Sequence, residues 1–590
     1  MLSIFYNLVA VLVFKRKVII WLHLGLFLLI FIDVNATDFL FDNSRTSYRV
    51  VVSPNASVTE KTAAKELKSY LEQISGAKFN LSSTQGSRNI YVGYEKSFAI
   101  YKDIIPYQNN SEGFTIKKIG HDLVIYGGKE RGTMFGVYRF LQEFLGVQWY
   151  TPDFTKVPNK NRYELESINF SETPRIKYRS TDFYCAQNIP WLAHNMMNTG
   201  RTSNTNDYGI VSRYWGTHSL ARLLPAKKYF KTHPEYFAYR NWHRVEYGQP
   251  CLSNPDVLKI VTKEIMAVIE QAPNFLVYDV SQLDNQSFCT CSSCTNVEKK
   301  YGGHSGLMIW FVNQVARNIK KRYPKKYVGT FAYQYTRHAP INIKPDDNVV
   351  IRLCDIECCF AHPLSSNCNE HNVAFIKDLK DWSRLTKNLY IWDYIVNYGN
   401  YMAPFPNIQI LGPNLKTFAK YEVMEVFEEA QSETLGNAFE ELKCWVLAQL
   451  MWNPDKNTNK LVATFINDYY GSAAKDIIAY YNLCLTLISD DSHMTCFSDP
   501  NKPPFTDVFI EKAYGILNKA LSHANNETIA ERVRKVMMQP MALECARHPL
   551  QFYKKGKWPV FKSQLIRYKS YFKSGVSSEK FINSFEASVK

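Results

Sequence analysis

Residues 306–353 run GLMIWFVNQVARNIKKRYPKKYVGTFAYQYTRHAPINIKPDDNVVIRL, and this stretch decides the fold. Residues 306–323 read as a helix, while 327–333 and 349–353 are short runs rich in β-branched and aromatic side chains, bounded by turn residues, and read as strands. The same alternation extends in both directions. Strands are expected at 176–183, 275–281, 389–394 and 423–427, and helices at 256–271, 372–385 and 414–421. Short strands alternating with helices argue for a parallel sheet with helical crossovers. The span 176–445 suits a (β/α)₈ TIM barrel, which takes about 250 residues. Its second and third strands must lie within 188–254, among large loop insertions.

Upstream, residues 37–175 read as a small α/β domain with strands at 48–52, 89–92, 113–119 and 122–126. Its first helix, 59–74, keeps Ala63, Ala64, Leu67, Leu71 and Ile74 at helical spacing and ends where Gly76 supplies a C-terminal cap. A second helix, 134–145, follows Gly127-Gly128 and stops at Gly146. The glycine pair completes neither a P-loop nor a dinucleotide fingerprint, so ordinary turn chemistry explains it. Downstream, 446–590 is helical, with 461–470, 473–487 and 509–524 as its clearest helices. The expected class is therefore α/β: a TIM barrel preceded by a small α/β domain and followed by a helical region.

A chain of 590 residues exceeds one ordinary domain. The net charge of +16 comes from Lys and Arg spread along the whole chain, beside no nucleic-acid module, so it reads as a solvated surface and no nucleic-acid partner is expected. An aromatic share of 14% supplies flat faces for a flat-faced ligand. At the N-terminus, Lys15-Arg16-Lys17, an apolar run over 18–32 and Val34-Asn35-Ala36 stand in the order of a secretory signal, residues 1–36. The expected destination is export, to the periplasm, the cell surface or the medium. An uncleaved N-terminal anchor is the alternative and the one membrane attachment expected.

Thirteen cysteines are an odd number, which leaves at least one thiol free. Cys289, Cys291 and Cys294 form C-x-C-x-x-C, and Cys354, Cys358, Cys359 and Cys368 form a second group. The first spacing can converge on a metal ion, but no second sequence-local pair completes a ligand set, so disulfides or packing are preferred. Neither metal nor cofactor is expected.

In a barrel the chemistry sits at the C-terminal ends of strands, so an acid there matters most. Asp284 follows the 275–281 strand in Gln282-Leu283-Asp284-Asn285, Glu357 follows the 349–353 strand, Asp393 lies in the 389–394 strand, and Glu428-Glu429 follow the 423–427 strand. Any one of these alone is more often a helix cap or a loop ion pair. Together they suit glycoside hydrolysis, which needs two carboxyl groups in environments that separate their pKa values. Glu357 stands in the apolar run Ile356-Glu357-Cys358-Cys359-Phe360, where burial favours a protonated acid. His218 and His233 read as structural histidines, and no Ser-His-Asp or Cys-His arrangement is forced.

Two resemblances sharpen this reading. Glu112-Gly113-Phe114 through Gly127-Gly128, Arg131-Gly132-Thr133-Met134-Phe135-Gly136-Val137-Tyr138, and Leu145-Gly146-Val147-Gln148-Trp149-Tyr150-Thr151-Pro152 resemble the domain that precedes the barrel in β-hexosaminidases and α-glucuronidases. His233-Pro234-Glu235-Tyr236-Phe237, Gln249-Pro250-Cys251-Leu252, Ser281 to Asn285 with the cysteine motif after it, Ile351 to Cys359, Trp392-Asp393-Tyr394, Pro404-Phe405-Pro406-Asn407 and Trp452-Asn453-Pro454-Asp455 resemble glycoside hydrolase family 163.

The second resemblance implies an endo-β-N-acetylglucosaminidase that cuts the chitobiose core of N-glycans on glycoproteins or glycopeptides, with the substrate's own acetamido group as nucleophile. It implies Glu357 as general acid and Asp284 as the acetamido partner, or the reverse. Asn285, Gln282, Tyr333, Tyr335, Arg352, Trp392, Asp393, Tyr394, Glu428 and His218 would shape the sugar site. The adjacent Asp-Glu of β-hexosaminidases is replaced here by Asp284-Asn285, so that pair does not carry over. Two other readings stay open: an exo-acting glycosidase on hexosamine or uronic acid residues, with Arg352 or Arg337 receiving the carboxylate, and a glycan-binding protein without catalysis.

Overall fold

The computed structural model describes residues 38–201, 206–433, 436–570 and 573–589. The signal-like segment 1–36 lies outside the described residues. The first sheet contains β1 (Tyr48–Val52), β2 (Asn80–Ser82), β3 (Arg88–Val92), β4 (Phe114–Ile119), β5 (Asp122–Gly127) and β6 (Asn169–Glu172), in the order β6-β4-β5-β3-β1-β2. Helix α1 (Val58–Ser75) starts with a capping box, in which the Ser57 hydroxyl accepts from the Glu60 amide and the Glu60 carboxylate accepts from the Ser57 amide. It ends at Gly76, whose φ of 69° is left-handed. Its Ala63, Ala64, Leu67, Leu71 and Ile74 are buried, as their spacing predicts. The glycines before α2 (Gly132–Phe140) are packing devices: a Cβ on either Gly127 or Gly132 would stand 2.5 Å from the Gly113 carbonyl oxygen.

The second sheet is curled and wholly parallel. Its strands are β7 (Tyr178–Thr181), β8 (Tyr214–Trp215), β9 (Val277–Asp279), β10 (Tyr327–Ala332), β11 (Val349–Cys354), β12 (Leu389–Tyr394) and β13 (Glu425–Glu429). Their order is β7-β13-β12-β11-β10-β9-β8. Crossovers include α3 (Pro255–Gln271), α4 (Ser292–Tyr301), α5 (His304–Arg322), α6 (Glu370–Leu385) and α7 (Ile408–Lys420).

The expected closed eight-strand barrel is therefore an open one of seven strands among the described residues. The place between β7 and β8 is held by Asn198-Thr199. Thr199 makes one parallel bridge to Val211, and the Asn198 side chain takes the Arg179 amide at 2.9 Å. A side chain replaces the ladder here because Asn198 is drawn toward Glu112, donating to both of its carboxylate oxygens at 3.0 and 2.9 Å. Glu112 also receives Arg131 at 2.6 Å and Arg179 at 2.7 Å, so a buried charged clasp joins the first sheet to β7.

Helix α8 (Glu440–Trp452) is buried on every side. Its Trp452 stacks on Phe114 at 5.8 Å and donates to Glu172 at 2.8 Å, both in the first sheet. A continuous apolar core runs from Leu40 through the curled sheet into α9 (Thr458–Tyr470), α10 (Ala474–Leu485), α11 (Asp507–His523) and α12 (Glu527–Arg547). A second apolar cluster, from Met402 and Met538 to Phe585, seats α13 (Trp558–Tyr568) and α14 (Ser578–Val589). No helix among the described residues is long and apolar enough to cross a membrane.

Candidate active site

Side chains alternate along a strand, so every second residue of β9 to β13 enters the hollow of the curled sheet. At its base, Arg213 pairs with Glu425 at 2.6 Å and donates to the Tyr390 hydroxyl at 2.9 Å. Above them Arg352 lies flat between rings, 3.9 Å from the Tyr214 centroid and 4.3 Å from that of Trp392. Over this floor, at the C-terminal ends of the strands, opens a cleft of about 760 Å³.

Four carboxylates line it: Asp182 just after β7, Glu429 at the end of β13, Glu433 beyond it and Asp284 after β9. Glu429 accepts from the Trp392 indole at 2.6 Å. Burial, then the neighbouring charge of Asp182, pushes its pKa up to about 7 against the smaller opposing effect of the indole. Burial likewise raises Asp182, which accepts from the Ala430 amide at 2.6 Å. Asp284 is exposed, and its carboxylate accepts from the Tyr333 hydroxyl at 3.1 Å. Phe331, Tyr333, Trp392, Tyr394, Tyr398 and Tyr401 supply aromatic faces, and Phe497 and the stretch from Ser574 to Lys580 complete the wall. Lys580 is the sole Lys or Arg among the described lining residues.

Of the residues singled out in the sequence, Asp284, Tyr333, Trp392, Tyr394, His218 and Glu429 of the Glu428-Glu429 pair line this cleft together. His218 is fixed by its ring Nδ1, 2.7 Å from the Gln282 carbonyl. The fold places the others elsewhere. Glu357 pairs with Arg337 at 3.0 Å, and Arg337 is also held by Asp378 at 2.9 Å, so the apolar setting expected for this carboxyl is instead an ion-paired one. Gln282 is buried and donates to Thr336 at 2.7 Å. Asn285 is engaged with Gln249, Tyr335 packs on Phe288 and His304, and Arg352 stays beneath the floor.

Asp393 and Glu428 face the opposite side of the sheet from Trp392, Tyr394 and Glu429. They stand directly opposite each other in the β12–β13 register, with Asp355 beside them. Glu429 and Asp182 were both within reach of the strand-end rule. The expected strands ran two residues early at 423–427 and two residues long at 176–183, which hid each acid's true position.

Thiol and imidazole ligands gather outside the cleft, as Cys251, Cys289, Cys291 and Cys294, and as Cys359, His362, Cys368 and His493.

The family described as a domain of unknown function, DUF4838, matches residues 149–482, more than half of the chain. The chain belongs to this family. The N-terminal part of glycosyl hydrolase family 67 matches residues 40–140, covering β1 to β5. Among solved structures, a family GH115 4-O-methyl-α-glucuronidase with specificity for decorated arabinogalactans is 13% identical, with a TM-score of 0.54 over 93% of this chain and 76% of that one. That likeness shows a shared fold. A Flavobacterium johnsoniae chitobiase, 12% identical over 94% of this chain and 97% of that one, scores 0.47. A GH138 enzyme targeting pectin rhamnogalacturonan II, 12% identical over 92% and 98%, scores 0.45. No curated protein matches the chain. This DUF4838 protein thus has a glycoside-hydrolase-like fold: an N-terminal α/β sheet, a curled parallel sheet and a helical C-terminal region.

Proposed function

We propose that this DUF4838 protein is a glycoside hydrolase in which Glu429 is the general acid and Asp284 the second carboxylate. The observation that carries the reading is Glu429: buried beside Asp182 and hydrogen-bonded to Trp392, it holds a proton near neutral pH that it can deliver to a departing glycosidic oxygen. Asp284 is exposed in the same cleft, where its carboxylate accepts from the Tyr333 hydroxyl and stands available as the second carboxyl group. The aromatic lining suits sugar faces.

The finer reading is an endo-β-N-acetylglucosaminidase of the family 163 type, acting on the chitobiose core of N-glycans. Asp284 would then orient the acetamido N–H, and Glu429 takes the acid role that the sequence resemblance assigned to Glu357. An uncharged glycan is favoured over a uronic acid. Arg352 is capped by rings and Arg337 is held by two carboxylates, while Asp182, Asp284, Glu429 and Glu433 outnumber Lys580 along the lining.

Mass spectrometry of products from a glycoprotein bearing complex and high-mannose N-glycans tests this. Released glycans ending in one reducing N-acetylglucosamine, with its partner left on Asn, are expected. Free monosaccharides would replace the endo reading with an exo one. No product with retained glycan affinity would make the protein a binding module.

A further inference from the structure

Cys251, Cys289, Cys291 and Cys294 bring their four sulfurs within 4.8 Å of one another. The Cys251 sulfur lies 3.6 Å from that of Cys291 and 3.7 Å from that of Cys294. Four thiolates about 2.3 Å from one tetrahedral zinc stand about 3.8 Å apart, so this spacing is that of ligands round a single ion. The sequence motif supplies three of them. The fourth comes 40 residues before Cys291, brought in by the fold. Around the quartet, the Tyr239 amide donates to the Cys289 sulfur at 3.3 Å, and the Ser253 hydroxyl is 3.1 Å from the Cys294 sulfur. Such outer hydrogen bonds steady thiolate ligands.

We propose that these four cysteines form a closed structural site for one zinc ion. Four soft sulfurs select zinc over calcium or magnesium, and with every position filled by protein the ion has a structural role. The knot it would tie has a bearing on the cleft. Gln249, two residues before Cys251, donates through its side chain to the Leu283 carbonyl at 2.8 Å, and its amide donates to the Ser287 carbonyl at 2.9 Å. The ion would thus steady the loop that presents Asp284.

A second site rests on different residues. Cys359, His362, Cys368 and His493 place one ligand atom each within 4.8 Å of the others. His362 turns Nδ1 toward the Cys359 sulfur at 3.5 Å and Nε2 toward the Ser489 carbonyl at 3.1 Å. This is the pattern of a ligating imidazole that donates its other N–H to a backbone oxygen. A Cys₂His₂ zinc here would tie the loop after β11, whose Ile356 lines the cleft, to the segment carrying Phe497, which lines it too.

Elemental analysis of the native full chain, purified without chelator, tests both sites, with an organomercurial titration of the thiols read by a zinc-sensitive dye. Two zinc ions per chain are expected, both released by the mercurial, falling to one in Cys251→Ser and to one in His493→Ala. Cobalt replacement in the unmutated chain keeps the test independent of variant folding, and should show the intense thiolate-to-cobalt absorption of tetrahedral sites. A metal-free chain with the quartet joined as two disulfides, or with all its thiols free, overturns the first site. A single zinc lost in Cys251→Ser but kept in His493→Ala overturns the second; the reverse pattern overturns the first.

Discussion

At the scale of single residues, the site turns on which neighbour of a pair enters the cleft. As the proposed general acid, Glu429 would act with its proton on, so activity should fall as pH rises through its pKa, pushed up to about 7. Glu429→Gln should cost about 10²–10⁴-fold in kcat while leaving glycan affinity measurable. Asp182 is the charge that helps hold the Glu429 proton, so Asp182→Asn should lower that pKa and move the alkaline limb of kcat/KM to lower pH; an unmoved limb would separate Asp182 from the acid. Asp284 was legible in the sequence because it follows an obvious apolar strand. Glu429 was only half legible: the pair Glu428-Glu429 was visible, but a two-residue error in the strand end left no means of telling which one entered the cleft. Trp392-Asp393-Tyr394 carries the same lesson, since three consecutive strand residues cannot share a face.

At the scale of the strand, the acids that miss the cleft have a role of their own. Asp355, Asp393 and Glu428 form a row on the outer face of β11 to β13, and both Glu428 carboxylate oxygens lack a hydrogen-bond partner among the described residues. Burial raises all three, with mutual repulsion adding to Asp355 and Glu428, and Asp393 is pushed up to about 6. A carboxyl with a raised folded pKa keeps a proton that the unfolded chain releases, so stability drops as pH climbs from about 4 through the folded values. The melting temperature should therefore be higher at pH 5 than at pH 8, and Glu428→Gln, which keeps the shape without the charge, should flatten that slope. A slope unchanged in the variant would remove Glu428 from the account. The elements themselves were readable where one face is buried, as in α1 with its capping box and Gly76. The second barrel strand was not, because Asn198-Thr199 is placed by side-chain bonds to Glu112 and Arg179 rather than by a pattern of apolar residues.

At the scale of the molecule, the first sheet and the curled sheet are locked by Glu112: burial would raise the pKa of its carboxyl, but the charges of Arg179 and Arg131 on either side outweigh that and hold it below its ordinary value. Removing one partner of such a group leaves the others charged and dry. Glu112→Ala should lower unfolding stability by about 3–5 kcal/mol in urea titration, and a smaller change than a surface substitution gives would show the clasp to be incidental. No local pattern revealed this clasp, since Arg131, Arg179 and Asn198 stand 19, 67 and 86 residues from Glu112 along the chain.

The cleft spans a far greater distance along the chain, from Asp182 on one wall to Lys580 on another. A polypeptide emerging from the ribosome folds its early parts first. Its carboxylates would be in place while the wall from Ser574 to Lys580 had yet to be made. The pocket is therefore finished among the last parts of the molecule, and a nascent chain would carry Asp182, Asp284 and Glu429 before the wall that encloses them.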